Sequence, residues 1–221
     1  MPQKFARRSL IALSVCTSLM SFNLLAHGNH GHAHEHQQTE AERKASEGIF
    51  EDKDVTDRTL SDWDGVWQSI NPYLLKGDLD AVLVSKANKN KDKSVEEYRE
   101  YYKKGYATDV NMIGIEDGTI DFHTAKAVNS CKYTYSGFKI MHYASGKKGV
   151  RYLFECKDSD SKAPKYVQFS DHIIKAQKSH HFHIYTGNES QEKLLQEMDN
   201  WPTFYPITLN KDDIVHEMLH H

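Results

Sequence analysis

Closely spaced turn signals between residues 108 and 187 are the feature that most restricts the fold of this chain. The segment NMIGIEDGTIDFH places Asp117-Gly118 between two apolar runs, which is the strongest short-range signal for a β-hairpin. The pattern recurs around Ser136-Gly137 and around Gly146 to Gly149. These turns leave no room for the crossover helices that parallel strands need. The sequence therefore predicts an antiparallel meander that closes into a barrel.

Helices are predicted on both sides of the hairpin region. A strand over residues 64–70 ends before Pro72, and a helical insertion follows at about residues 72–106. Within it, SVEEYREYYKKG has Ser94 and Glu97 in capping-box spacing and ends at Gly105. Two short helices are predicted in SQEKLLQEMDNWP and in NKDDIVHEMLHH, the second with Asn210 as its N-cap. The predicted fold class is mainly β, an antiparallel barrel with added helices.

Residues 1–26 carry the features of a secretory signal peptide. Basic residues at Lys4, Arg7 and Arg8 precede a largely apolar run that ends at Ala26. A retained membrane anchor is the alternative, but polar residues interrupt the run and no stop-transfer charges follow it. We therefore expect cleavage after Ala26 and an exported mature chain without a membrane span.

The charge balance and the cysteine count restrict the partners and the redox state. The chain has 28 Lys and Arg against 31 Asp and Glu; the signal removes three basic and no acidic residues, which leaves 25 against 31 and a net charge of −6. This acidic balance disfavours nucleic acid as a partner. Cys16 leaves with the signal, so Cys131 and Cys156 are expected to form one disulfide in an oxidising compartment. A reduced thiolate metal site is the alternative.

One histidine cluster precedes the predicted domain. Five of the ten residues 27–36 are histidine, and residues 27–44 contain little that can be buried. This composition predicts a flexible arm that captures metal ions, followed by a single domain over residues 45–221. The histidines of the arm are His27, His30, His32, His34 and His36.

A second cluster, SHHFHIYTG, is predicted to lie on a strand. Residues two apart share a strand face, so His181 and His183 point the same way while His180 and Phe182 point the other way. His172, nine residues before His181, suits an adjacent antiparallel strand joined by the loop KAQKS. Three neutral imidazoles can bind zinc, copper, nickel or cobalt.

Other histidines are not assigned to this site. His180, His123 and His142 have no partner at ligand spacing and are interpreted as ordinary polar residues. His216 and His220 lie one helical turn apart and could pair on a metal, but exposed terminal histidines need no functional explanation.

The sequence resembles the ZinT (YodA) family of periplasmic zinc- and cadmium-binding proteins across essentially the whole mature chain. The resemblance rests on RTLSDWDGVWQSI, KGYATDVNMIGIEDG, SGKKGVRYLFECKD, SKAPKYVQFSDHII, HFHI and EMDNWPTFYP, and GVW also resembles the Gly-x-Trp signature of lipocalins. It implies a calycin-type, lipocalin-like barrel with added helices and metal ligands at His172, His181 and His183. At His180 the chain departs from the family, which commonly has serine there.

The resemblance also implies a biological role. The protein is expected in the periplasm of a Gram-negative bacterium, where it captures Zn(II), and also Cd(II), under zinc limitation. It is expected to pass zinc to a ZnuA-type binding protein of a high-affinity zinc ABC transporter. The alternatives are a zinc-dependent hydrolase or lyase, with Asp171 and Glu155 as acidic candidates, and a lipocalin-like carrier of a small organic ligand. We expect no enzyme, because nothing in the sequence fixes the geometry of a general base.

Overall fold

The computed structural model describes residues 39–220, and within this range the chain forms six α-helices and eight β-strands. The helices are α1 (Glu40–Ser46), α2 (Asn71–Lys76), α3 (Asp80–Asn90), α4 (Val95–Tyr106), α5 (Gln191–Leu195) and α6 (Lys211–His220). The strands are β1 (Gly65–Ser69), β2 (Val110–Glu116), β3 (Thr119–Thr124), β4 (Val128–His142), β5 (Lys148–Cys156), β6 (Tyr166–Ser170), β7 (Phe182–Gly187) and β8 (Thr203–Pro206).

The eight strands form a closed antiparallel barrel. They pair in chain order, and β8 pairs with β1 to close the sheet. Asp117 and Gly118 connect β2 to β3 with φ values of 49° and 78°, which a two-residue hairpin of this hand requires. A second hairpin joins β4 to β5 through Gly146, at φ 79°. The predicted meander barrel is therefore confirmed.

The hairpin predicted at Ser136-Gly137 is wrong. Strand β4 continues through both residues from Val128 to His142, and its register with β5 shifts between Tyr135 and Phe138. Gly137 has φ 103° at this shift. A β-bulge uses the same glycine freedom as a tight turn, and it bends a long strand without ending it. The Ser136-Gly137 sequence, which predicted a turn, therefore marks a bend within β4.

The N-terminal predictions are partly outside the described residues and partly wrong. The signal peptide and residues 27–38 of the arm are not described. Residues 40–44, which the sequence assigns to the arm, instead belong to α1. Thr39 and Glu42 form a reciprocal capping box, with the Glu42 carboxylate accepting from the Thr39 backbone N–H at 2.7 Å. This local cap explains the helix, because it satisfies two backbone donors of the first turn.

The other helices follow their sequence signals more closely. Ser94 and Glu97 cap α4 as predicted, and Asn210 Oδ1 accepts from the first-turn N–H groups of α6. Helices α2, α3 and α4 fill residues 71–106, the interval of the predicted insertion. No helix among residues 39–220 combines the length and the apolar character that a membrane span needs.

Two apolar clusters stabilise the barrel and the helices that pack on it. Aromatic rings fill the barrel interior, where Trp63 stacks on Phe169 at a centroid distance of 5.0 Å and Trp67 meets Phe182 edge-on at 4.9 Å. The second cluster lies outside the barrel, between its wall and the helices. Its buried members are Ile70, Leu74, Leu79, Leu83, Tyr98, Tyr102, Tyr106, Tyr205 and Ile214. The helical layer thus covers part of the outer face of the sheet.

Cys131 on β4 and Cys156 on β5 form the disulfide that the cysteine count predicts. Their Cα atoms are 5.9 Å apart, and the bond closes a sequence separation of 25 residues. Both residues are buried in the barrel cluster.

Replacing both cysteines with serine should lower the free energy of unfolding by about 3 kcal/mol, because the unfolded chain then regains the entropy that a closed loop of this length removes. Urea denaturation of the oxidised protein and of the double variant measures the difference. The reduced wild-type protein is the control and should match the variant. Equal urea midpoints for the oxidised protein and the variant would contradict this account.

Candidate metal centre

Two histidines of the candidate site lie at the start of β7. His181 immediately precedes the strand, and His183 is its second residue. Phe182 between them is fully buried inside the barrel, so its two neighbours face outward, as the alternation of a strand requires. The outer face of the barrel therefore carries both imidazoles.

His172 reaches the site from a loop. The sequence places it on a strand that a five-residue loop joins to His181, but β6 ends at Ser170 and the connection runs from residue 171 to residue 181. His172 has a φ of 64°, a left-handed conformation that histidine adopts more readily than most side-chain-bearing residues. The prediction of a strand position is wrong, although the predicted proximity to the other two histidines is right.

The three imidazoles converge on one point. One ring nitrogen from each of His172, His181 and His183 lies within 4.8 Å of the others. Nε2 of His172 is 3.3 Å from Nε2 of His183. Two nitrogens bound to one tetrahedral ion, each about 2.05 Å from it, are separated by about 3.3 Å. The spacing of the imidazole nitrogens therefore matches that of ligands in a tetrahedral metal site.

Thr203 on β8 fixes the tautomer of His183. Its hydroxyl donates its single hydrogen to the carbonyl oxygen of Trp201 at 3.1 Å, because a carbonyl can only accept. The same oxygen lies 2.7 Å from Nδ1 of His183 and must therefore accept from Nδ1–H. The lone pair of His183 is consequently on Nε2, which faces the other two histidines.

Aromatic rings support the remaining faces of the site. Tyr205 stacks on His181 with a centroid distance of 5.0 Å and an angle of 13°. Trp201 meets His183 edge-on at 5.5 Å. Burial raises the pKa of Tyr205 well above its usual range, so the ring beside His181 stays neutral. These contacts restrict the rotation of two ligands, which reduces the entropy lost on metal binding.

A buried arginine holds the loop that carries His172. The side chains of Arg58 and Asp171 are both fully buried, and Nη1 of Arg58 donates to Oδ1 of Asp171 at 2.7 Å. Nη2 of Arg58 donates to the carbonyl oxygen of Gln177 at 2.7 Å. The guanidinium therefore binds the loop on both sides of its tip and fixes the residue directly before His172.

Asp62 binds the arginine and the second half of the same loop. Its Oδ2 accepts from Nε of Arg58 at 2.9 Å and from the backbone N–H of Gln177 at 3.3 Å. Its backbone carbonyl accepts from the N–H of Ser179 at 2.8 Å. The hydroxyl of Ser179 in turn donates to the carbonyl oxygen of His181 at 2.7 Å. One hydrogen-bonded network thus connects the positions of His172 and His181.

The charge of Arg58 survives its burial because of these partners. Burial is the largest influence on the pKa of Arg58 and lowers it, but the charge of Asp171 and the hydrogen bonds to Asp171 and Asp62 hold that pKa above its usual value. The guanidinium carbon also lies 3.9 Å from the centre of the Trp63 ring, which adds a cation–π contact.

A groove of about 630 Å³ opens beside the imidazoles, and His172 and His183 are part of its lining. The hairpin between β4 and β5 contributes Lys147 and Lys148 to the lining, and Glu47 is the one acidic residue among the lining residues that are described. The carboxylate of Glu47 is paired with Arg43 at 2.6 Å. The groove therefore gives solvent and larger ligands access to the three-histidine cluster.

The other sequence candidates are not part of the cluster. His180 precedes β7 and is exposed, and His123 lies on β3. His142 lines the groove without joining the three imidazoles. Glu155 forms an ion pair with Lys157 at 2.6 Å, and Asp171 forms an ion pair with Arg58. The histidines of the arm lie outside the described residues.

Sequence reasoning missed Arg58, Asp62 and Thr203. Thr203 and Arg58 carry no local signal, because each acts on a residue that is distant in the chain. The one available indication was Asp171, because a carboxylate directly before His172 could bind a buried cation that fixes the loop.

Comparison with known proteins identifies relatives with this barrel. The profile of a family described as ZinT (YodA) periplasmic lipocalin-like zinc-recruitment matches residues 41–221. The probable metal-binding protein YrpE of Bacillus subtilis (strain 168) is 47% identical over 182 residues, which cover 82% of this chain and 72% of YrpE. The zinc-binding lipoprotein AdcA of Streptococcus pneumoniae (strain ATCC BAA-255 / R6) is 47% identical over 191 residues, 86% of this chain. Those residues make up 38% of AdcA.

Solved structures show the same fold. The Zn(II)-bound ZinT-like domain of S. pneumoniae AdcA matches with a TM-score of 0.77 and 48% identity, over 79% of this chain and 97% of that domain. The Zn(II)-bound AdcA of the same species matches with a TM-score of 0.79 and 46% identity, over 84% of this chain and 40% of AdcA. The lipocalin-like fold class is confirmed, and this chain spans less than half the length of AdcA.

Replacing Arg58 with methionine should lower the free energy of unfolding by about 3–5 kcal/mol, because Asp171 is then left buried without its counter-charge. Amide hydrogen exchange should accelerate more in residues 171–181 than in the β2–β3 hairpin, where only the lower global stability acts. Mass spectrometry of exchanged peptides measures both regions.

Arg151 provides a matched control for this variant. It is also buried, but it donates to the carbonyl oxygen of Leu194 at 2.7 Å, in the segment of α5. Arg151→Met should destabilise the protein without accelerating exchange in residues 171–181 more than in the β2–β3 hairpin. Equal exchange of this loop in wild-type protein and Arg58→Met would exclude the anchoring role of Arg58.

Proposed function

The chain belongs to the ZinT (YodA) family of periplasmic lipocalin-like zinc-recruitment proteins, and we propose that it binds Zn(II) through His172, His181 and His183. The observation that carries the proposal is the convergence of one nitrogen from each imidazole within 4.8 Å. Three neutral imidazoles with one further position form the ligand set of an open tetrahedral zinc site. The ZinT-like domain of S. pneumoniae AdcA, whose fold this barrel shares, is Zn(II)-bound.

The groove supplies the fourth position. A water molecule or a donor atom of an incoming ligand can approach the imidazoles from this side, since His172 and His183 line the groove. A site with an exchangeable ligand can receive and release its ion faster than a closed one, which suits capture and transfer. We extend the proposal to Cd(II), which the three imidazoles would bind in place of Zn(II).

A binding role is supported over a hydrolytic one by the lining of the groove. A zinc hydrolase needs a placed general base beside the metal-bound water. Among the described lining residues, the only carboxylate is that of Glu47, which is paired with Arg43. The relatives are also named as metal-binding and zinc-binding proteins.

The packed barrel interior argues against the alternative of a small-molecule carrier. Lipocalin-like carriers hold their ligand inside the barrel. Here Trp63, Phe154 and Phe169 contact one another in the interior, with centroid distances from 5.0 to 5.9 Å. Phe182 adds a further ring at 5.0 Å from Phe169.

The proposed role is zinc capture in the periplasm and delivery to a zinc transporter. The support is the family description and the presence of a ZinT-like domain within AdcA, a zinc-binding lipoprotein. The partner that we propose is the ZnuA-type binding protein of a high-affinity zinc ABC transporter. The histidines of residues 27–36 would collect ions and raise their local concentration near the barrel site.

Changing His172, His181 and His183 together to alanine should abolish tight zinc binding, because no imidazole of the cluster then remains. Removal of residues 27–36 should leave the tight site in place and reduce only the weaker binding. Calorimetric titration of Zn(II) into the metal-free proteins measures both effects. The wild type and the triple variant start at residue 27, and the shortened protein starts at residue 37.

His180→Ala is the control for this titration, because it removes an exposed imidazole next to the cluster. Its tight zinc binding should equal that of the wild type. Tight binding that persists in the triple variant would move the principal site elsewhere and would contradict the proposal.

Replacing Thr203 with valine should weaken Zn(II) binding by about tenfold to a hundredfold, because Nδ1–H of His183 loses the acceptor that orients the ring. Valine has nearly the same shape, so circular dichroism and the urea midpoint should show a folded protein. Competition titration with a chelator of known affinity measures the change. Wild-type affinity in a folded Thr203→Val protein would show that the ring needs no such orientation.

A further inference from the structure

A second pair of histidines lies on α6, outside the three-histidine cluster. His216 and His220 are one helical turn apart, and their rings have a centroid distance of 4.2 Å and an angle of 34°. The residues His216-Glu217-Met218-Leu219-His220 have the spacing H-E-x-x-H. On a helix this spacing places two imidazoles on one face, where zinc enzymes use them as paired ligands. The function proposed above does not use these residues.

A hydrogen bond prepares His220 for metal binding. Its Nδ1 lies 2.8 Å from the backbone carbonyl oxygen of His216. A carbonyl can only accept, so Nδ1 of His220 carries the hydrogen and Nε2 carries the lone pair. A ligating histidine is commonly held in this way by its other nitrogen, which fixes the ring and its tautomer.

The helix presents the pair on a fixed support. Ile214 on the inner side of α6 is fully buried, and Val215 and Met218 pack against the same apolar cluster. Asn210 caps the start of the helix. His216 and His220 are exposed on its outer side. Rings bound through Nε2 to one tetrahedral ion have centroids about 5 Å apart, which is close to the 4.2 Å between these two rings.

The surroundings favour binding without catalysis. Among residues 39–220, the three-histidine cluster is the single group of three side chains that could hold an ion, so the α6 pair has no third protein ligand there. Glu217, in the position of the general base of a zinc hydrolase, is exposed on the same helix. Water must therefore complete the coordination shell of an ion bound here.

We propose that His216 and His220 form a second, surface site for a late divalent transition ion, with Cu(II) and Ni(II) bound more tightly than Zn(II). The metal order follows from imidazole ligation, which favours Cu(II) over its neighbours in the series. An ion at this pair links two successive turns at the end of the chain. It therefore also stabilises the last turn of α6, which has few other constraints.

The first experiment locates the site along the chain. The protein starting at residue 27, with the five arm histidines changed to asparagine, is loaded with one equivalent of Zn(II), and Ni(II) is then added during heteronuclear NMR. Paramagnetic broadening is expected in the signals of residues 213–220. Broadening that stays confined to other residues at one added equivalent would overturn the proposal.

The second experiment measures affinity. The background is a protein with the five arm histidines changed to asparagine and His172, His181 and His183 changed to alanine, so that neither cluster competes for Cu(II). Calorimetry with Cu(II) should give one site, and His216→Asn or His220→Asn should each weaken it by about tenfold or more. His123→Asn, which changes a histidine on β3, should have no effect.

His221→Asn tests the histidine that follows the pair in the sequence. Loss of Cu(II) binding in His221→Asn with full binding in His216→Asn would assign the ion to the chain end and overturn the proposal. Because the three cluster histidines are absent from this background, the outcome does not depend on the zinc site proposed above.

Discussion

The buried ion pair between Arg58 and Asp171 is the interaction on which the metal centre depends. A guanidinium without solvent is costly, and the protein satisfies it with two carboxylates, a backbone carbonyl and the face of Trp63. This one side chain binds the loop that leads from β6 to β7 at Asp171, Ile173 and Gln177. The loop acquires a single shape, and His172 gains a fixed position although it lies outside any strand or helix.

The three-histidine cluster lies on the outer face of the barrel, where the barrel wall and the segments that pack on it fix the imidazoles. The aromatic interior keeps the barrel closed and rigid, so the outward side chains of β7 have fixed positions. The segment between α5 and β8 places Trp201 beside His183, and Tyr205 stacks on His181. Gly105 in α4 allows this close approach, since a Cβ there would lie 2.5 Å from the Trp201 ring. The fold therefore separates a packed core from an accessible ligand cluster.

Local signals predicted the parts of the fold that depend on neighbouring residues. The hairpin at Asp117-Gly118, the capping box at Ser94 and the phase of His181 and His183 are all decided within a few positions. The errors at Ser136-Gly137 and in residues 40–44 have a different origin. A glycine with positive φ serves a bulge as well as a turn, and only pairing with β5 decides between them. The α1 cap was locally visible but was outweighed by the polar composition of the segment.

The sequence by itself determined the barrel class, the disulfide partners and the shared strand face of His181 and His183, because turn spacing, cysteine number and strand alternation are properties of short stretches. The tertiary structure alone decided how the three imidazoles meet. His172 needs a left-handed backbone held by Arg58, which is 113 residues away from Asp171 in the chain. His183 needs the hydroxyl of Thr203 on a strand that lies 20 residues further on. Such contacts arise only when the barrel closes and brings distant segments together.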